Sequence, residues 1–167
     1  RIDGFCSSLY EDAISSLKKK INKDNDSVLI IYSQEYESMI QDFESDNRNF
    51  MKAKYDSSDF QEFSAEILGI NSSDKRFKKI SNLNPNQNLN FTPRPRYDFK
   101  QIIILLNPKE YKSMIPALRY HGSNKFEYLN FISSLEAINS PLQLLDYEDS
   151  WAPISVRTIS KIQKDEL

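Results

Sequence analysis

Residues 102–106 read Ile-Ile-Ile-Leu-Leu, an apolar run with no polar residue at alternate positions. A strand of that composition must be covered on both faces, as a central strand of a parallel sheet flanked by helices is. What surrounds the run sharpens the inference. Thr92-Pro93-Arg94-Pro95-Arg96-Tyr97-Asp98 leads in, and the prolines hold that stretch extended. Asn107-Pro108 leads out, placing a helix N-cap before a proline at the first helical position. A strand over 99–107 is therefore expected, followed by a helix with Tyr111, Ile115 and Leu118 inward, a kink at Pro116 and a stop at Gly122.

The rest of the chain alternates in the same way. Leu9, Ala13, Leu17 and Ile21 recur at helical spacing, and Lys18-Lys19-Lys20 suit the negative end of that helix. Ser27–Ser33 predicts a buried strand, and Tyr36, Met39, Ile40 and Phe43 predict a second helix. Residues 49–56 alternate as an edge-side strand does. Phe60, Phe63 and Ile67 predict a helix capped by Ser58 or Asp59 and stopped by Gly69. A further helix over 71–83 is expected to turn Phe77, Ile80 and Leu83 inward, before an Asn/Pro-rich loop over 84–98. Residues 126–133 and 141–147 predict two more strands. Such alternation argues for an α/β fold, a three-layer αβα lobe with a mostly parallel sheet, spanning 1–167 as one unit.

Composition excludes more than it selects. The 167 residues carry 22 basic and 24 acidic side chains, a net charge of −2, so no global field draws nucleic acid or an anionic membrane. Three glycines, Gly4, Gly69 and Gly122, stand far apart, which rules out the clustered glycines of phosphate-binding loops. One cysteine and one histidine exclude an internal disulfide and a His-rich metal cluster. No metal and no cofactor is expected.

Candidate chemistry is sparse. Cys6 and His121, with Asp146 or Asp149, have the residue types of a nucleophilic triad, but a buried thiol and a helix-end histidine account for them more simply. Glu35/Glu37, Asp56/Asp59 and Glu148/Asp149 pair carboxylates, which at helix starts and in loops serve as caps and solvated faces. Lys75, Arg76, Lys78 and Lys79 around Phe77 read as the polar side of a helix. Arg94 and Arg96 sit two apart on an extended segment and face one way. Either they form an anion or partner site with Arg119 nearby, or they bind Asp98 and fix the approach to the central strand; the second account is the stronger. No catalytic residue is assigned.

Those residues also carry a resemblance. Residues 91–122, with Pro93, Arg94, Arg96, Asp98, Asn107, Pro108, Ile115, Pro116 and Leu118, resemble the C-terminal domain of the LpoA (LppC) family, lipoproteins that activate penicillin-binding proteins. Tyr55, Phe60, Leu68, Gly69, Ser73 and Arg76 extend the likeness upstream, and Asp146 or Asp149 with Trp151 extends it downstream. The chain departs from the family at Gln34-Glu35-Tyr36, where the family has a Gly-Arg pair, and at 126–133.

The resemblance implies one lobe of a type I periplasmic-binding-protein-like fold, in a larger two-lobed, lipid-anchored protein. It implies a non-enzymatic regulator of peptidoglycan synthesis that stimulates a class A penicillin-binding protein by contact. Such a protein sits in the periplasm of a Gram-negative bacterium, touching the outer membrane only through an upstream lipid anchor. Beginning at Arg1, the chain is expected to be a piece of that longer protein, and its final Lys-Asp-Glu-Leu an accident of the boundary. Arg94, Arg96, Asp98 and Trp151 are then the expected structural or interface cluster. The alternative on the same fold is a lobe that binds an amino-acid-like solute, with Ser33, Asn107 and Ser133 in the ligand loops at strand ends.

Overall fold

The computed structural model describes residues 10–21, 27–44, 49–56, 59–87, 89–122, 125–131 and 150–152. At its centre is β3 (Gln101–Leu105), every residue of which is buried. On one side of it lie β1 (Ser27–Tyr32) and then β2 (Asn49–Lys54). On the other side lie β4 (Glu127–Asn130) and then β5 (Ser150–Trp151). All four pairings are parallel, with Ile30 opposite Ile103 and Ile103 opposite Leu129. This β2-β1-β3-β4-β5 order is doubly wound and reverses direction between β1 and β3.

Alternation along the strands sorts the core into two layers. Leu29, Ile31, Ile102, Ile104, Leu106 and Tyr128 face α3 (Phe60–Ile67) and α5 (Pro108–Gly122), meeting Ala65, Met114, Ile115 and Leu118. Val28, Ile30, Tyr32, Ile103, Leu105 and Leu129 face α1 (Tyr10–Lys20) and α2 (Ile40–Glu44), meeting Ile14, Leu17, Ile40 and Phe43. The unbroken run in β3 is thus explained: successive isoleucines serve opposite layers, each contributing about 1.5–3 kcal/mol by burial.

Local rules place the helix ends. Asp59 caps α3, its carboxylate accepting from the N–H groups of Gln61 (2.8 Å) and Glu62 (3.0 Å). Gly69 stops it at φ 74°, in the left-handed region that glycine enters without strain, and α4 (Ile70–Leu83) leaves from there. Asn107 caps α5 through its side-chain oxygen, which accepts from Lys109 (3.1 Å) and Glu110 (3.0 Å). Pro116 lies inside α5, which continues to Gly122; buried residues on both sides of the proline hold it against the sheet.

Several expectations need correction. The helix expected around Tyr36–Phe43 begins as a 3-10 segment, Gln34–Met39, and becomes α-helical only at Ile40. Ile80 and Leu83 do not turn inward: they are 50% and 80% exposed. The inward stripe of α4 runs through Ile70 and Ser73, with Asp74, Phe77 and Ser81 half-buried. Leu83 points away from that stripe, whereas Ile80, two turns on from Ser73 at nearly the same angle, is exposed because α4 runs past the sheet that covers its first turns. The central strand is shorter than 99–107, and β5 falls at 150–151. The strand expected over 141–147 lies outside the described residues.

Candidate functional site

The approach to β3 is built around Arg96. Its Nε donates to Asp98 Oδ1 at 2.9 Å, and a second guanidinium nitrogen pairs with Asp98 Oδ2. Its backbone N–H donates to the Leu68 carbonyl at 2.9 Å, and its stem lies along Gly69. The guanidinium also reaches the Phe99 ring at 5.6 Å. The Asp98 carboxyl is held below the usual range, first by the Arg96 hydrogen bonds and against a smaller opposing effect of burial. Arg96 therefore takes the structural role, locking the backbone where it turns into the sheet.

The expected cluster does not assemble around it. Arg94 is exposed and has no bonding partner among the described residues. Arg119 stands over Tyr128, 5.8 Å from the ring centroid. Trp151 pairs in register with Leu129 and so faces the opposite layer from Phe99, with Lys20 Nζ 3.7 Å above its ring. Arg96 and Asp98 meet within the lead-in to β3, while strand parity sends Trp151 to the other side.

The carboxyl end of the sheet, at the reversal between β1 and β3, is where open α/β sheets bind ligands. Ser33 follows β1, its N–H donating to the Leu105 carbonyl at 3.1 Å. It is buried, and its hydroxyl has no partner among the described residues. Asn130 ends β4 opposite Ile104, is 1% exposed, and leaves both its amide nitrogen and its amide oxygen without a partner among the described residues. Alternation puts Ser33 and Asn130 on the same side of the sheet, the side of α3 and α5. Asn107 is also at this end, but its oxygen is taken by the α5 amides. Ser133 lies outside the described residues.

Carboxylates act on Tyr55 at this end of the sheet. Tyr55 follows β2, its N–H donating to the Tyr32 carbonyl at 2.8 Å, and its ring stacks on Phe60 at 5.0 Å. Its hydroxyl titrates above the ordinary value, through burial first and then through the charges of Glu110, Asp56 and Asp59. Farther along β4, burial pushes the Tyr128 hydroxyl up to about 12 against the pull of Arg119. Asn130 went unremarked in the sequence, although a lone asparagine inside an apolar strand is the signal that would have found it.

The paired carboxylates take ordinary roles where they are described. Asp59 is the α3 cap, and Glu37 pairs with Lys54 at 3.2 Å and accepts from Gln34 at 2.7 Å. Among the described residues no group of His, Cys, Asp and Glu could hold a metal ion. His121 sits in the last turn of α5 against Tyr120, whereas Cys6, Asp146 and Asp149 lie outside the described residues. No helix among the described residues is long and apolar enough to cross a membrane. Compared with protein-family models, curated proteins and solved structures, the chain matches none of them.

Proposed function

We propose that this chain is a contact regulator of peptidoglycan synthesis, a periplasmic lobe of an outer-membrane lipoprotein that stimulates a class A penicillin-binding protein. The observation that carries the proposal is the likeness over residues 91–122 to the LpoA (LppC) pattern. Its matched positions have explicit physical work in this fold. Arg96 and Asp98 lock the lead-in to β3, Asn107 caps α5, Pro108 opens it, and Leu118 packs beneath it. Leu68 and Gly69, matched upstream, form the left-handed stop of α3. A likeness concentrated where the backbone path is decided supports a common architecture, one lobe of a type I periplasmic-binding-protein-like domain. The partner is recognised by surface complementarity, and no residue of this chain is assigned to bond-making. The test is biolayer interferometry against the purified class A synthase, run beside an assay of its glycan cross-linking. Saturable binding with a faster synthase is expected; no binding and an unchanged rate overturn the proposal.

One observation favours a second use of the same fold. Ser33 and Asn130 place buried hydrogen-bonding groups, without partners among the described residues, at the carboxyl end of the sheet, and Glu110 and Asp56 bring negative charge to Tyr55 at the end of the neighbouring β2. An amino-acid-like solute offers polar groups to the first pair and an ammonium to the second. Calorimetric titration with the common amino acids tests it: micromolar binding lost in Ser33→Ala supports the solute-binding lobe, and absence of heat from all of them removes it.

A further inference from the structure

The excursion between β2 and β3 forms an arm. It leaves the lobe at Gly69 as α4, and only Ile70 and Ser73 of that helix are buried. It returns along 84–95, pinned midway by the Phe77 and Phe91 rings, stacked at 4.2 Å. It closes where the Arg96 N–H meets the Leu68 carbonyl. At about 1.5 Å per residue, the helix past Ser73 carries its last turns roughly 15 Å beyond its anchorage.

The surface of the arm is cationic and apolar together. Against one acid, Asp74, α4 carries Lys75, Arg76, Lys78 and Lys79, and none of these four pairs with a carboxylate among the described residues. Ile80 and Leu83 stand open beside them at 50% and 80% exposure. Exposed cations without partners and exposed aliphatics on one element have the chemistry of an interface.

We infer that this arm is the docking element for an acidic protein surface, which receives Ile80 and Leu83 while its carboxylates pair with Lys75, Arg76, Lys78 and Lys79. The inference rests on the contact function proposed above and names the part of the chain that makes the contact. Charge complementarity fixes the sign of the partner, since four cations without a carboxylate partner among the described residues share one helix with a single acid. The chemistry of the tip selects a protein over a lipid surface. Two aliphatic side chains insert less apolar matter than a single acyl chain, itself a marginal anchor. The neighbouring Asn82, Asn86 and Gln87 are exposed amides suited to hydrogen bonding with another polypeptide.

The experiment measures binding of the full chain to the class A synthase by interferometry, at low and high salt. Two variants are compared with wild type, K75E/R76E/K78E/K79E and I80S/L83S, each first shown to melt like wild type because every altered side chain is exposed. Supporting results are an affinity that falls with salt and a loss of about tenfold to a hundredfold in each variant. Wild-type binding that both variants keep within about twofold overturns the arm and leaves the contact function standing. No wild-type binding overturns both. Binding to vesicles of phosphatidylcholine with phosphatidylglycerol, or self-association by sedimentation, that either variant abolishes also overturns the inference, in favour of a lipid surface or a second copy.

Discussion

Replacing Asn130 by leucine is expected to stabilise the fold. The side chain is 1% exposed, and neither end of its amide has a partner among the described residues. A buried polar group in that state costs about 1–3 kcal/mol. Leucine has nearly the same reach, removes that cost and adds apolar burial against the α5 side of the sheet. Imperfect shape returns up to about 1.5 kcal/mol. The net gain is about 1–2 kcal/mol, which for a chain of this length raises Tm by about 2–8 °C. Urea unfolding followed by circular dichroism gives the free energy, and calorimetry gives the shift in Tm. Leu129→Ala serves as the control: its neighbour in β4 is fully buried, so truncation costs about 2–5 kcal/mol and shows that the strand is tightly packed. A loss of stability in Asn130→Leu would refute the reasoning, because it would mean that the amide has partners when the protein is folded in water. A gain has the further meaning that asparagine is retained here for something other than stability.

Four other outcomes follow from geometry. Gly122→Ala costs about 1–3 kcal/mol by overpacking, since the new Cβ would stand 2.7 Å from the buried Phe126 ring. Gly69→Ala costs about 1–2 kcal/mol for a different reason: the new Cβ would make only ordinary contact with Arg96 Cγ at 3.6 Å, but φ of 74° is strained for alanine. Thermal melts of the two variants, each beside Gly→Ser at the same site, separate crowding from strain by how much the larger residue adds. Asn107→Ala removes the α5 cap and lowers stability by about 1 kcal/mol, while Asn107→Asp keeps it, as denaturant midpoints will show. For Asp98 the folded pKa lies below the unfolded one, so its contribution is complete above about pH 4 and is lost as pH falls through the folded pKa. The pair is 39% and 46% exposed, which holds that contribution below about 1 kcal/mol, and Arg96→Ala should flatten the acid limb of stability against pH.

The layers of the fold were legible because one run, Ile102–Leu106, admits few environments. Its apolar residues at consecutive positions require two covered faces, and the alternation of helix and strand around it supplies the cover. Caps were legible for the same local reason: Asp59, Gly69 and Asn107 act on backbone groups within a few residues of themselves. What depended on distant packing was harder to see. The outward direction of Ile80 and Leu83 reflects how far α4 runs past the sheet, a fact about three-dimensional extent that a helical period does not contain. Trp151 was grouped with Arg96 by a pattern in sequence and separated from it by strand parity. Asn130 stands out only against its surroundings, since its lack of partners among the described residues is visible once the strands and helices around it are in place.

The meeting of Leu68 with Arg96 has a consequence for how this lobe varies over evolutionary time. Because the backbone leaves and comes back at one hydrogen bond, residues 69–95 form a detour whose two feet are already joined. Lengthening or trimming the detour leaves the spacing of β2 and β3 untouched, and closure entropy changes only with the logarithm of its length. The sheet and the projecting segment can therefore accumulate insertions, deletions and charge changes at independent rates. A lineage that acquires a new recognition surface there need not re-solve the packing of its core.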